Sequence, residues 1–258
     1  MARHPRALVR EIPDTFDRAI VSDPDATIDV PAARGQHTDY LRRLEKAGYE
    51  LVVIPPDPNH PDCVFIEDIA LVAGETAVAT RPGAPSRRGE VGPVAEALGR
   101  WYPVVSVEAP ATLDGGDVIV LTSRVLVGRS KRTDSEGIAQ LASIVSRIGL
   151  ETLVVPVHQG LHLKSAVLPI DAETMVVTPG AVDESPLDGF RLLYEHETER
   201  FQFSALPLAD GSVMVTASAP RTTESLRKLG FDVAPTDISQ IQAADGGLTC
   251  MSLLFDTP

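Results

Sequence analysis

Cys250 lies near the end of the chain, behind an Asp245-Gly246-Gly247 turn and ahead of the apolar Leu253-Leu254-Phe255. A thiol in that setting can be a nucleophile, although residue type alone favours a small buried hydrophobe. The other cysteine, Cys63, adjoins the apolar run Val64-Phe65-Ile66 and reads as a core residue. Nucleophilic chemistry at Cys250 would need a histidine to move protons and an acid to orient it. His162, in Gly160-Leu161-His162-Leu163-Lys164, and Asp114, in Thr112-Leu113-Asp114-Gly115-Gly116-Asp117, are residues of those types.

Other stretches suit recognition. In Asn59-His60-Pro61-Asp62-Cys63-Val64-Phe65-Ile66-Glu67-Asp68, three carboxylates bracket an apolar segment. They read either as solvated acids or as a clamp for a cation, a divalent metal or a guanidinium, the latter giving directional, charge-assisted bonds. Arg81-Pro82-Gly83-Ala84-Pro85-Ser86-Arg87-Arg88 is a proline-stiffened loop presenting arginines, and Ser130-Lys131-Arg132-Thr133 sets another just before a helix. Such loops are basic surface or, more pointedly, a bidentate grip on a carboxylate. No phosphate-cradling glycine motif occurs, so a nucleotide is weakly supported.

The elements that must position these residues follow a repeated pattern. A hairpin of short apolar strands comes first: Ile69–Val72 with Ala77–Ala79, after Val64–Ile66; Asp117–Leu121 with Val125–Val127; Ser165–Leu168 with Met175–Val177; Ser204–Leu208 with Val213–Val215. An amphipathic helix stopped by glycine and a further strand come next. Tyr40, Leu41, Leu44 and Ala47 share one helical face ahead of Gly48 and the strand 51–54. Ile138, Leu141, Ala142, Val145 and Ile148 repeat this ahead of Gly149 and the strand 153–155, with Thr133 and Glu136 expected as a capping box. Helices are also expected over 90–98, 223–229 and 187–194.

The first unit shows one clear strand before its helix, Ala19–Val21. The tail, 248–255, is a strand with no unit of its own. If the tail completes the first unit, about five ββαβ units close into a propeller-like α/β ring, one domain spanning 1–258. Cys250, His162 and an acid at equivalent strand ends would then converge on the ring axis.

Composition narrows the partners. With a net charge of −13, 43% hydrophobic and 23% charged residues, the chain is expected to be globular, with no nucleic-acid or membrane partner. Two cysteines cannot form a disulfide framework, the charged first 13 residues do not form a signal peptide, and no run approaches the roughly 20 apolar residues of a membrane span. A cytoplasmic location is the expectation.

Taken together, Pro61–Asp68, Arg81–Arg88, Leu113–Asp117, Ser130–Thr133, Leu161–Ser165 and Asp245–Cys250 resemble dimethylarginine dimethylaminohydrolases, guanidine-modifying enzymes with the five-bladed α/β-propeller (pentein) fold. The resemblance implies Cys250 as nucleophile, His162 as its acid/base partner and Asp114 in the place of the acid that orients the histidine. Some members have glutamate there, with a longer arm. By the same carry-over Glu67 and Asp68 hold the guanidinium with Asp245 nearby, and Arg87 and Arg132 hold the substrate carboxylate. Asp62, with backbone groups at Phe16 and Ala244, takes the α-amine; the family favours leucine where this chain has Phe16. No cofactor or metal is implied, since Cys250 and His162 make a poor zinc ligand set. The implied partner is a methylated arginine, and the implied assembly a monomer or homodimer. The alternatives are an arginine deiminase, which typically carries an added helical region, an amidinotransferase, or a non-catalytic binder of arginine derivatives.

Overall fold

The computed structural model describes residues 4–257, which divide into two compact units: one of residues 4–66 with 196–257, the other of Glu67–Glu195. The first unit opens on β1 (His4–Arg10), whose last four residues are buried. The expected strand at Ala19–Val21 is absent, and its role belongs to β1. Charges do not prevent this, because Arg6 pairs with Glu50 at 2.6 Å and Arg10 donates through Nε to the Pro55 carbonyl at 3.0 Å.

Helix α1 (Val30–Lys46) starts at Asp29, whose carboxylate accepts from the Ala32 amide, with Pro31 in the first turn. Tyr40 and Leu44 are wholly buried, as their spacing requires, and Gly48 ends the run at φ +94. The chain returns as β2 (Glu50–Ile54), parallel to β1. Val64–Ile66 does not form the expected strand. Those residues are buried, but the Cys63 and Phe65 amides bond three residues back, to His60 and Asp62, instead of joining a ladder. A short apolar run cannot by itself distinguish a strand from a buried turn.

The second unit holds three sheets of one plan. β3 (Ala70–Ala73) and β4 (Thr76–Ala79) form a hairpin, α2 (Val91–Leu98) crosses over, and β5 (Val104–Ser106) runs parallel to β4. β6 (Val118–Val120), β7 (Arg124–Arg129), α3 (Ser135–Ser146) and β8 (Glu151–Pro156) repeat it. The cap of α3 is Asp134, accepting from Gly137, and not Thr133 as the capping box predicts; the Thr133 hydroxyl is committed to Asp117 at 2.7 Å. In the third sheet β9 (Val167–Pro169) and β10 (Thr174–Val177) pair antiparallel, and β11 (Arg191–Tyr194) lies parallel to β10. Thus the second half of the helix expected over 187–194 is a strand: a ladder with 174–177 outweighs a local helical pattern.

Back in the first unit, β12 (Ala205–Pro207) and β13 (Val213–Thr216) form a hairpin, α4 (Pro220–Lys228) crosses over, and β14 (Val233–Thr236) pairs parallel to β13. After α5 (Ser239–Gln242) comes β15 (Ser252–Thr257), antiparallel to β1 from His4↔Thr257 to Val9↔Ser252. The tail therefore completes the first unit's sheet, ordered β15-β1-β2, as the count of strands predicts. It begins later than expected, leaving Cys250 on a 3-10 turn just ahead of it. In each of the five sheets among the described residues one strand pairing is antiparallel and the other parallel.

Each unit has its own packed interior. In the first, Phe16, Tyr40, Leu44, Phe65 and Met251 share a cluster; burying such side chains contributes roughly 1.5–3 kcal/mol each. Tyr40 also meets the Ser252 hydroxyl at 2.6 Å, fastening α1 to the tail strand. In the second, Leu113, Val125 and Leu141 form one cluster and Leu126, Leu163 and Val177 another. No helix among the described residues is long and apolar enough to cross a membrane.

Candidate active site

In the second unit the turns between sheet elements gather buried charge. Asp114 precedes a 3-10 turn, Gly115–Asp117, and is fully buried. Its Oδ1 accepts from the Gly83 amide at 2.7 Å, and its Oδ2 lies 3.1 Å from His162 Nε2. His162 is the residue before another 3-10 turn, Leu163–Ser165, and its other nitrogen, Nδ1, faces Asp68 Oδ1 at 3.7 Å. A carboxylate thus stands on each side of the imidazole. Burial draws the His162 pKa down, but the charge of Asp68, the bond to Asp114 and the charge of Asp117 outweigh it, lifting the value to about 9. The surrounding carboxylates thus favour the protonated ring.

Glu67 and Asp68 lie on the 3-10 turn Ile66–Asp68 rather than at a strand end. Asp68 Oδ2 accepts from Arg87 Nη1 at 2.5 Å, and Arg87 also donates through Nε and Nη2 to Glu90 at 3.2 and 2.9 Å. Glu67 Oε1 accepts from Lys164 Nζ at 2.6 Å. Burial opposes ionisation of Asp68, yet His162, Arg87 and Lys164 hold its pKa below the ordinary range. Each acid keeps one buried oxygen, Glu67 Oε2 and Asp68 Oδ1, with no hydrogen-bond partner among the described residues. An unmatched buried carboxylate oxygen is costly, so both are poised to accept from a cationic donor.

Backbone clearance completes this arrangement. A Cβ on Gly116 would fall 2.6 Å from Asp68 Oδ1 and 2.7 Å from His162 Nδ1. One on Gly115 would fall 2.0 Å from the Glu67 carbonyl. The Gly-Gly pair after Asp114 therefore lets the turn approach both groups. Arg132 is half-buried on the loop before α3, and its guanidinium makes no ion pair among the described residues. The donor atoms of Asp68, Asp114 and His162 lie within 4.8 Å of one another, close enough for a metal ion. A metal there would compete with the proton that the neighbouring carboxylates favour on His162.

The first unit carries the remaining expected residues. Cys250 is half-buried on the turn Thr249–Met251, and its sulfur accepts from the Gly247 amide at 3.3 Å. That contact favours negative charge on sulfur. Ser204 Oγ accepts from the Leu248 amide at 2.9 Å and fixes the turn. A Cβ on Gly246 would strike the Phe65 ring at 2.4 Å, so this glycine serves close packing. Asp245, at φ +58, accepts through its carboxylate from the Ser22 amide at 2.6 Å and from the Ser22 hydroxyl at 2.8 Å. Asp62 is buried and accepts from the Ile20 amide at 3.0 Å. Phe16 is wholly buried, edge-on to Phe65 with ring centres 5.8 Å apart, and Ala244, next to Asp245 in the chain, is buried too. Cys63 is buried, as a core cysteine should be.

Glu67, Asp68, Arg87, Asp114, Arg132 and His162 thus belong to one unit, while Phe16, Asp62, Ala244, Asp245 and Cys250 belong to the other. Three supporting residues carry no role in the sequence-based expectations: Glu90, Lys164 and Asp117. Glu90 stands three residues from Arg87 on the 3-10 turn Pro85–Glu90, where such residues eclipse, but nothing local predicts that turn.

Residues 26–192 match the profile of the family described as Arginine deiminase. N(G),N(G)-dimethylarginine dimethylaminohydrolase of Pseudomonas aeruginosa is 34% identical over 252 residues, covering 97% of each chain. The protein of that name from Streptomyces coelicolor is 33% identical over 250 residues, covering 96% of each. The solved structure of the Pseudomonas aeruginosa protein, a cysteine-to-serine mutant complexed with citrulline, matches with a TM-score of 0.92 at 31% identity over 97% of this chain and 98% of that one. The fold class is the five-bladed α/β-propeller, as the repeat pattern predicts.

Proposed function

Because the chain belongs to the dimethylarginine dimethylaminohydrolase family, we propose that it hydrolyses Nω-methylated arginine to citrulline and a methylamine. The observation that carries this is the pair of buried oxygens, Glu67 Oε2 and Asp68 Oδ1, lacking partners among the described residues beside a histidine whose pKa is raised by its carboxylate neighbours. Two neighbouring carboxyl acceptors suit a planar guanidinium, whose N–H groups bond in a fixed fork. The substrate is a small molecule; a net charge of −13 disfavours nucleic acid or an anionic membrane as partner.

In this proposal Cys250 is the nucleophile. Its thiolate attacks the guanidinium carbon, and His162, already cationic, passes its proton to the departing methylamine, leaving an S-alkylthiouronium on sulfur. The histidine, now neutral, takes a proton from water as that water attacks the same carbon. Collapse expels the thiolate and releases citrulline. Asp114 holds the imidazole through Nε2 and stabilises its charge. No metal or cofactor enters the scheme.

Recognition of the amino-acid end is assigned to residues that offer complementary charge. Arg132 and Arg87 hold the α-carboxylate, with Arg132 carrying more because Arg87 is already clamped by Asp68 and Glu90. Asp62 with the backbone at Phe16 and Ala244 takes the α-amine. Asp245 supports the guanidinium from a carboxylate fastened to Ser22. The chain acts as one catalytic domain, 1–258, in the cytoplasm, as a monomer or homodimer.

The test is citrulline formation from asymmetric dimethylarginine, monomethylarginine and arginine, with wild type and Cys250→Ser. Methylated substrates should turn over and the variant should not. Faster turnover of arginine would replace this function with a deiminase, and binding without turnover would leave only a binder.

A further inference from the structure

We infer that Asp117, three residues beyond Asp114, is a positioning residue that locks the His162 turn, the Arg132 loop and Asp114 to one another. The role rests on the acid/base and carboxylate-binding assignments above. Asp117 is fully buried and bonds directly to both the turn and the loop. Its Oδ1 accepts from the Leu163 amide at 2.8 Å, fixing the backbone next to His162. Its Oδ2 accepts from Ser130 Oγ at 2.6 Å and Thr133 Oγ1 at 2.7 Å, the two hydroxyls flanking Lys131 and Arg132.

The proton assignments are determined by the rest of the network. Ser130 Oγ accepts from the Arg132 and Thr133 amides at 3.0 and 3.3 Å, so its own proton is left for Asp117. Thr133 Oγ1 accepts from the Asp114 amide at 3.1 Å, so its proton also goes to Asp117. Asp117 is an acceptor in all three contacts, which is the bonding pattern of a carboxylate and not of an amide. A carboxamide of the same shape would set its NH2 against either the Leu163 N–H or the two hydroxyl protons. The fold reserves the space as well: a Cβ on Gly128 of β7 would fall 2.7 Å from Asp117 Oδ1.

Charge follows the same geometry. His162 is faced by Asp68 and Asp114 directly and by Asp117 through the field, while Arg87 and Lys164 stand behind Asp68 and Glu67. Burial pushes the Asp117 pKa up, and the His162 charge with the bonds from Ser130, Thr133 and Leu163 works against that rise. Asp117 and His162 thus favour each other's charged forms.

Asp117→Asn tests this. The His162 midpoint, followed by NMR of the ring in the full chain, should fall by about one pH unit. For methylarginine turnover, kcat should drop at least tenfold, KM should rise as the Arg132 loop loosens, and the basic limb of kcat/KM should move to lower pH. A folded variant with the wild-type midpoint, kcat and KM overturns the assignment. If the variant does not fold, Ser130→Ala and Thr133→Val each remove one strut. Wild-type KM and kcat in both would overturn it, and a raised KM in both would sustain it. Wild type inert toward methylated arginines would instead defeat the proposed function, leaving the NMR midpoint to judge Asp117.

Discussion

Gly116→Ala places one methyl group where the structure has room for none. No positive φ is required at this position, so alanine can adopt the backbone, and the whole effect is steric. The new Cβ would lie 2.6 Å from Asp68 Oδ1, 2.7 Å from His162 Nδ1 and 2.9 Å from His162 Cγ, where ordinary contact begins at 3.4 Å. The ring and the carboxylate must therefore each retreat by roughly 0.7 Å, since repulsion inside contact distance is steep. His162 has little freedom to do so: its Nε2 is bonded to Asp114 at 3.1 Å, and Asp68 is held by Arg87. Overpacking of this kind costs about 1–3 kcal/mol of stability, which a folded domain survives. A misplacement approaching 1 Å in a reacting group costs on the order of 100-fold in rate, or about 2.7 kcal/mol of barrier. The assay is kcat and KM for citrulline formation, alongside the thermal midpoint. Gly35→Ala, in the exposed interior of α1 with nothing within 4 Å, is the control; it should keep kcat and gain up to about 1 kcal/mol of stability. A folded Gly116→Ala protein with kcat within twofold of wild type would refute the reasoning.

Two further outcomes are expected. His37 is buried with Nε2 unpartnered among the described residues, and burial lowers its pKa from 6.5 to about 4. Below 6.5 the unfolded chain takes up a proton that the folded one refuses, so this contribution to stability is intact above pH 6.5 and is lost as pH falls to about 4. The loss is about 3 kcal/mol; urea titrations of wild type and His37→Leu across that range should differ in slope, and parallel curves would contradict it. Lys164→Met removes the cation holding Glu67 Oε1 and should raise KM several-fold more than it lowers kcat, with Lys164→Arg restoring part of the loss. An unchanged KM would show that Glu67 needs no such anchor.

Much of the architecture is written in local pattern. Tyr40 and Leu44 on one face, a glycine at φ +94 after them and alternating strand pairs are consequences of helix and strand periods acting over a few residues. Counting those units also shows that the tail must supply a strand, and β15 beside β1 does so. The types and order of Cys250, His162, Asp114, Glu67 and Asp68 likewise stand in the sequence. Tertiary structure decided what local pattern leaves degenerate. The run 191–194 became a strand because it pairs with 174–177, whereas Val64–Ile66 became a buried turn whose amides bond two and three residues back, a choice a short apolar run does not settle by itself. The fold also surrounded the histidine with carboxylates: Asp114 and His162 meet across 48 residues, and the charges of Asp68, Asp114 and Asp117, overcoming the opposing effect of burial, lift the ring to about 9. Sequence determines which charges exist; the fold sets their distances and their access to water, on which every one of these energies depends.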